Sequence, residues 1–171
     1  MIKTSWAFYV TLEIKNFKHM KEIIYDSAIR TFEMMCYMFP LDEDEIALES
    51  PCSDETCLSA LVTFDGASDG GMIIRSDSDL IDAIAVNMLG NDDATPDQKK
   101  GALCEIANII CGNIIPHFSD GEKISYIRPP AIVESGEDPH ERFSGMEKVG
   151  PVHIDLDEGR AAIVLYYLKR T

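Results

Sequence analysis

Over residues 20–39 the apolar positions Ile23, Ile24, Ala28, Phe32, Met35 and Phe39 recur mainly at intervals of three and four, and Pro40 closes the run. That spacing predicts an amphipathic helix whose apolar stripe covers a sheet. Met34, Met35 and Met38 read as adaptable core filling on it. Further upstream, alternating residues over 7–14 fit an edge strand. Residues 1–19 are therefore taken as an N-terminal leader or edge strand, and residues 20–171 as a single domain.

After an acidic turn at 42–45, strands are expected over 46–49, 57–64 and 71–75, the last two joined by the Gly- and Asp-rich loop 65–70. A hairpin turn explains that loop better than a phosphate cradle, since it lacks G-x-G-x-x-G order and a lysine. Ser78 or Asp79 can cap a short helix through Leu80, Ile84, Val86 and Leu89, with Gly90 at its C-terminal cap. A longer helix should begin at Pro96, where Thr95 as N-cap, proline at the first helical position and Gln98 as capping-box partner agree, and end near Pro116.

The remaining segments 123–127, 131–134, 146–155 and 160–169 read as strands, with a tight connection at Asp157, Glu158 and Gly159; Gly145 and Pro151 weaken the third of them. Helix then strands, twice over, predicts an α+β fold of long helices packed on a largely antiparallel sheet, built as pseudo-repeated halves.

Composition narrows the function classes. The 15 Lys and Arg against 30 Asp and Glu give a net charge of −15, a field that repels nucleic acid and anionic membrane surfaces. The apolar stretch at 6–10 is interrupted by Glu13 and Lys15 too soon for a spanning helix, and no signal peptide is read. The five cysteines, Cys36, Cys52, Cys57, Cys104 and Cys111, and the four scattered histidines lack zinc-ligand spacing. Free thiols in a reducing, cytoplasmic setting are expected, with no metal or cofactor bound by this chain.

The chemistry concentrates on the 96–115 helix. Ala102, Leu103, Ile106, Ala107, Ile109, Ile110 and Ile114 make a broad apolar face, while Gly101, Glu105, Asn108 and Gly112 follow at spacings of four, three and four and share one stripe. A carboxylate and a carboxamide one turn apart, bracketed by glycines, suit a partner that must come close. They also suit an ordinary exposed pair on a helix whose glycines admit a neighbouring element.

The string from Gly101 to Asn113, GALCEIANIICGN, resembles the signature helix of the CheX/CheC/FliY chemotaxis phosphatases, in which Glu-x-x-Asn is followed by a Gly-Asn pair and later by a proline. Here the proline is Pro130, with 21 residues between it and Asn108, one fewer than the family spacing, and Pro129 stands beside it. The run from Ala85 to Gly90, AVNMLG, is similar to the helix that leads into the CheX signature. The family commonly has Asp or Ser four residues before the Glu, whereas this chain has Gly101. Glu22 and Glu33 are followed at the third position by Tyr25 and Cys36 rather than Asn, so one site per chain is expected, as in CheX.

The resemblance implies a CheC-like fold and a phosphatase that hydrolyses the phospho-aspartate of a CheY-like response-regulator receiver domain in the bacterial cytoplasm. It implies Glu105 and Asn108 as catalytic residues, Gly101, Gly112 and Pro130 as partner-binding residues, Mg²⁺ carried by the receiver, and a homodimer joined through sheet edges. The alternative keeps the fold but makes the chain a non-catalytic module that binds a receiver or a flagellar-switch partner.

Overall fold

The computed structural model describes residues 3–42, 57–90, 92–118, 124–134 and 136–168. The strand expected at 46–49 lies outside them. Helix α1 spans Lys3–Cys36, so the edge strand expected within 7–14 is corrected to helix. The cause is visible in the sequence: neither Gly nor Pro occurs between Lys3 and Phe39, and alternation over eight residues does not end a helix that nothing else interrupts. α1 stops where Tyr37 turns left-handed at φ 56° and donates its N–H to the Glu33 carbonyl at 3.2 Å, an αL termination.

The buried row of α1 is Ile24, Ala28, Phe32 and Cys36, each four residues from the last. Met38 beyond it is fully buried, whereas Met34 is 70% exposed and Met35 39% exposed. The assignment of all three methionines to the core is thereby corrected: a strict four-residue row leaves Met34 and Met35 off the face that meets the sheet.

Strands β1 (Leu58–Gly66) and β2 (Gly70–Ser76) form the first hairpin. Helices α2 (Ser78–Leu89) and α3 (Pro96–Ile114) follow, then the short strands β3 (Ser125–Ile127) and β4 (Ala131–Ile132), and a closing hairpin of β5 (Glu147–Leu156) and β6 (Gly159–Tyr167). Along the antiparallel sheet the order is β3-β1-β2-β6-β5, with β4 also pairing β1. The two hairpins meet at β2 and β6 in the middle. α1 precedes the first hairpin but packs on β5, and α3 precedes the second hairpin side but packs on β1. These are the two pseudo-repeated halves, each helix covering the hairpin of the other half.

The helices lie on one sheet face over Ala60, Val62, Met72, Ile74, Ile163 and Leu165. The opposite face has a smaller cluster of Leu61, Ile73, Phe143, Val164 and Tyr166, in which the Phe143 ring stacks on Tyr166 at 4.8 Å.

The N-cap of α2 is Asp77 rather than Ser78 or Asp79. Its carboxylate accepts from the Leu80 N–H at 2.9 Å and from the Arg160 N–H at 2.8 Å, so one side chain caps the helix and ties it to β6. At the other end Gly90 is left-handed and donates to the Val86 carbonyl at 2.8 Å. From the same helix, Asn87 Nδ2 donates to the Cys36 carbonyl at 2.8 Å, satisfying one of the free carbonyls at the end of α1.

Candidate functional site on helix α3

α3 begins as the sequence predicts. Thr95 Oγ1 accepts from the Gln98 N–H at 3.3 Å, Gln98 Oε1 accepts from the Thr95 N–H at 2.8 Å, and Pro96 takes the first helical position. Lys99 Nζ bridges to Asp82 on α2 at 2.6 Å. Ala102, Leu103, Ile106, Ala107, Ile110, Cys111 and Ile114 are buried, which seats the helix on the sheet along more than three turns. The helix tightens into a 3₁₀ turn at Ile115–Phe118.

This seating fixes the direction of the opposite stripe. Gly101 and Glu105 are exposed, and Asn108 and Gly112 are half-buried. Among the described residues, the side chains of Glu105 and Asn108 form no hydrogen bond or ion pair. No described residue uses their hydrogen-bonding capacity, the carboxylate's as an acceptor and the carboxamide's as donor and acceptor.

A Cβ added at Gly101 meets nothing within 4 Å, and one added at Gly112 meets only the Ile127 Cδ1 of β3 at 3.6 Å, an ordinary contact. Packing within this chain therefore requires neither glycine, although each costs about 1 kcal/mol of helix propensity relative to alanine. Pro130 lies in the connection between β3 and β4, and α3 touches both of those strands as well as β1. The structure thus brings Gly101, Glu105, Asn108 and Gly112 onto one stripe and puts Pro130 in the neighbouring segment.

Beside the stripe runs a groove that sequence reasoning missed. Ile109 and Asn113 of α3 face Tyr25, Ile29, Met34 and Met35 of α1 across it. Thr31 ties the helices together, its hydroxyl donating to the Ser27 carbonyl at 2.7 Å and accepting from Asn113 Nδ2 at 3.4 Å. The signal that could have revealed the groove was the strict four-residue row of α1, which excludes Met34 and Met35 from the core.

The thiols of α1 and α3 are poor candidates for chemistry. Burial pushes the Cys36 thiol up to about 11, with Glu158 adding to the effect, and pushes Cys111 up to about 12; partial burial raises Cys104 as well. A thiol held protonated at neutral pH is a weak nucleophile and a weak metal ligand. Among the described residues no group of three or more His, Cys, Asp and Glu side chains could hold a metal ion. None of the described helices is long and apolar enough to cross a membrane.

Comparison with known proteins gives this geometry a family. The family model described as chemotaxis phosphatase CheX matches residues 58–150, from β1 into β5 and through the whole of α3. No curated protein matches the chain. Among solved structures, the chain is similar to CheX in the CheX-CheY-BeF₃-Mg²⁺ complex from Borrelia burgdorferi, with TM-score 0.62, 22% identity, and 86% of this chain and 97% of that one covered. It is similar to chemotaxis protein CheX from Vibrio vulnificus, with TM-score 0.63, 18% identity, and 85% and 94% covered. A CheC-like superfamily protein from Shewanella sp. PV-4 matches with TM-score 0.64, 18% identity, and 88% and 97% covered. At these identities the solved structures establish the CheC-like fold, while the family match spans more than half of the sequence. This chain belongs to the CheX family of chemotaxis phosphatases.

Proposed function

We propose that this protein hydrolyses the phospho-aspartate of a CheY-like receiver domain by inserting Glu105 and Asn108 of α3 into the receiver's active site. The observation that carries the reading is the outward, unbonded presentation of these two side chains on one stripe of a helix whose other face is locked into the core. The Borrelia burgdorferi relative in complex with CheY, BeF₃ and Mg²⁺ supports a receiver as the partner.

Hydrolysis of an acyl phosphate needs a water in line with the departing carboxylate, and stabilisation of charge on the transferring phosphoryl group. The receiver supplies the phosphorylated Asp and the Mg²⁺. This chain supplies position. The Asn108 carboxamide orients the attacking water, donating with its NH₂ or accepting with its oxygen, and acts by geometry because an amide does not titrate near neutrality. Glu105, one turn away, pairs with a basic side chain of the receiver and fixes the depth and angle at which Asn108 enters. Gly112, with Ile127 behind it, and Pro130 border the contact.

The same reading carries a homodimer formed by sheet extension, with β3 as the joining edge. The far end of β5 is met by Pro40 and Leu41, whose N–H donates to the Asp155 carbonyl at 3.0 Å, and Pro151 has no N–H to offer.

The test is the decay of a ³²P-labelled receiver with Mg²⁺, in the absence and presence of catalytic amounts of this protein; acceleration is expected. One observation favours the non-catalytic alternative, the glycine at 101 where family members commonly have Asp or Ser. Tight binding of a BeF₃⁻-loaded receiver without accelerated decay of the phosphorylated one would decide for it.

A further inference from the structure

The sheet face turned away from the helices carries a groove of its own. Its volume is about 900 Å³, within the range of small-molecule sites. The floor is apolar, made by Ile73 of β2 with Ala162 and Val164 of β6, and one wall is built from Val133, Glu134 and residues 136–140. Three ties hold this wall and its continuation against the sheet. Val133 N–H donates to the Ser59 carbonyl at 2.8 Å, His140 Nδ1 and the Tyr166 hydroxyl stand 2.6 Å apart, and the Phe143 ring stacks on Tyr166. The groove is therefore preformed.

Its charged groups divide by sign. Arg75 and Lys148 belong to β2 and β5, while Glu134, Glu137 and Asp138 stand on the wall with the His140 ring. The Asp138 carboxylate accepts from the His140 N–H at 2.9 Å, and Lys148 Nζ lies over the Tyr166 ring at 5.9 Å. The side chains of Arg75, Glu134 and Glu137 are exposed and make no hydrogen bond or ion pair with a described residue, although they line one groove. Arg75 is anchored mid-sheet, between Ser59 of β1 and Ala162 of β6. Since Ser59 also holds Val133, Glu134 follows on the flank nearest Arg75. Lys148 pairs with Tyr166, four residues along β6 from Ala162, and marks the far end with His140. Two further basic groups of this sheet do not line the groove: Arg160 is engaged by Asp155 at 3.1 Å, and His153 lies on the edge strand β5.

Opposite charges that share a groove without meeting suit a ligand that carries both. A simple anion on Arg75 would face three carboxylates and the field of a chain with net charge −15. A simple cation on the wall would face Arg75 and Lys148. We propose that this groove binds a small zwitterion, an α-amino acid with an apolar side chain. The ligand carboxylate accepts from the forked Arg75 guanidinium, its ammonium group donates to Glu134 and Glu137, and its side chain lies on Ile73 and Val164. The site is across the sheet from α3 and does not depend on the receiver reading.

The test is titration calorimetry of the full chain with L-leucine, L-valine, L-methionine and L-phenylalanine, and with two analogues that each keep one charge of leucine, 4-methylpentanoate and 3-methylbutylamine. At least one of the amino acids is expected to bind with a Kd at or below about 1 mM, and both analogues at least about tenfold more weakly than L-leucine. Arg75→Gln and Glu134→Gln are each expected to weaken amino-acid binding at least about tenfold, with an unchanged melting temperature because both side chains are exposed and unbonded. No binding of any of the four amino acids at about 10 mM would overturn the site. Binding of 4-methylpentanoate as tight as that of L-leucine would overturn the zwitterion in favour of a plain anion. Wild-type affinity in a folded Arg75→Gln variant would overturn the placement of the ligand carboxylate in this groove.

Discussion

Glu105 and Asn108 stand one helical turn apart on α3, the first exposed and the second half-buried, and neither is bonded to another described residue. Side chains that contribute nothing visible to the fold can be removed without unfolding it. Glu105→Ala is expected to leave the melting temperature unchanged and to lower the stimulated rate of receiver dephosphorylation about 10²-fold, or about 2.7 kcal/mol. Calorimetry with the decay assay checks both, and a matching loss of stability and rate would indicate a structural role. Since a carboxamide does not titrate, the contribution of Asn108 should also be flat between about pH 6 and 9.

The methionines at the end of α1 and just past it separate core from surface within five residues. Met38→Ala removes a fully buried side chain and should cost about 2–5 kcal/mol. Met34→Ala, at a position 70% exposed, should stay within about 0.5 kcal/mol. Urea unfolding midpoints measure the contrast, and equal effects would contradict the observed termination of α1 at Tyr37.

How far the sequence could be read follows the same division between local and distant causes. The start of α3 was legible because Thr95, Pro96 and Gln98 lie within four residues and specify one geometry. The N-cap of α2 was missed by one residue because Asp77 owes its position partly to Arg160, which is 83 residues away. Residues 7–14 were misread because their alternation says nothing about the absence of a helix breaker upstream of Pro40. The stripe on α3 was legible from its spacing, but whether its glycines serve packing or approach depends on what lies opposite them, and that only the fold supplies.

Thiol ionisation gives a stability prediction with a definite sign. Burial raises Cys36 to about 11 and Cys111 to about 12 from 9.0. The protonated thiols are favoured in the folded state, so their contribution is fully present below pH 9 and is lost as pH rises through 11 and 12. Stability should therefore fall across that window in urea titrations, and less so in a Cys111→Ala background compared with its own value at pH 8. At pH 8, iodoacetamide should leave Cys36 and Cys111 of the folded protein unlabelled, as seen by mass spectrometry; rapid labelling would contradict their burial.

The proposed β3 edge gives a test of association. Ala67 N–H donates to the Ile124 carbonyl at 3.1 Å, and Arg128 N–H donates to the Thr63 carbonyl at 2.8 Å. By alternation along an antiparallel strand, the N–H groups of Ser125 and Ile127 point away from β1. Ser125→Pro should therefore weaken dimerisation at least about tenfold in sedimentation equilibrium, whereas Pro151→Val should not change it. Equal dimerisation in Ser125→Pro would rule out β3 as the joining edge.

The most direct test of the central claim is the decay of a ³²P-labelled receiver domain with Mg²⁺, followed with catalytic amounts of the wild-type protein and of Asn108→Ala, at receiver concentrations where both bind. The account predicts accelerated decay with the wild type and about 10²-fold less acceleration with the variant, whose melting temperature is unchanged. Equal acceleration by the two proteins would contradict it, because the water would then be positioned by something other than the α3 stripe.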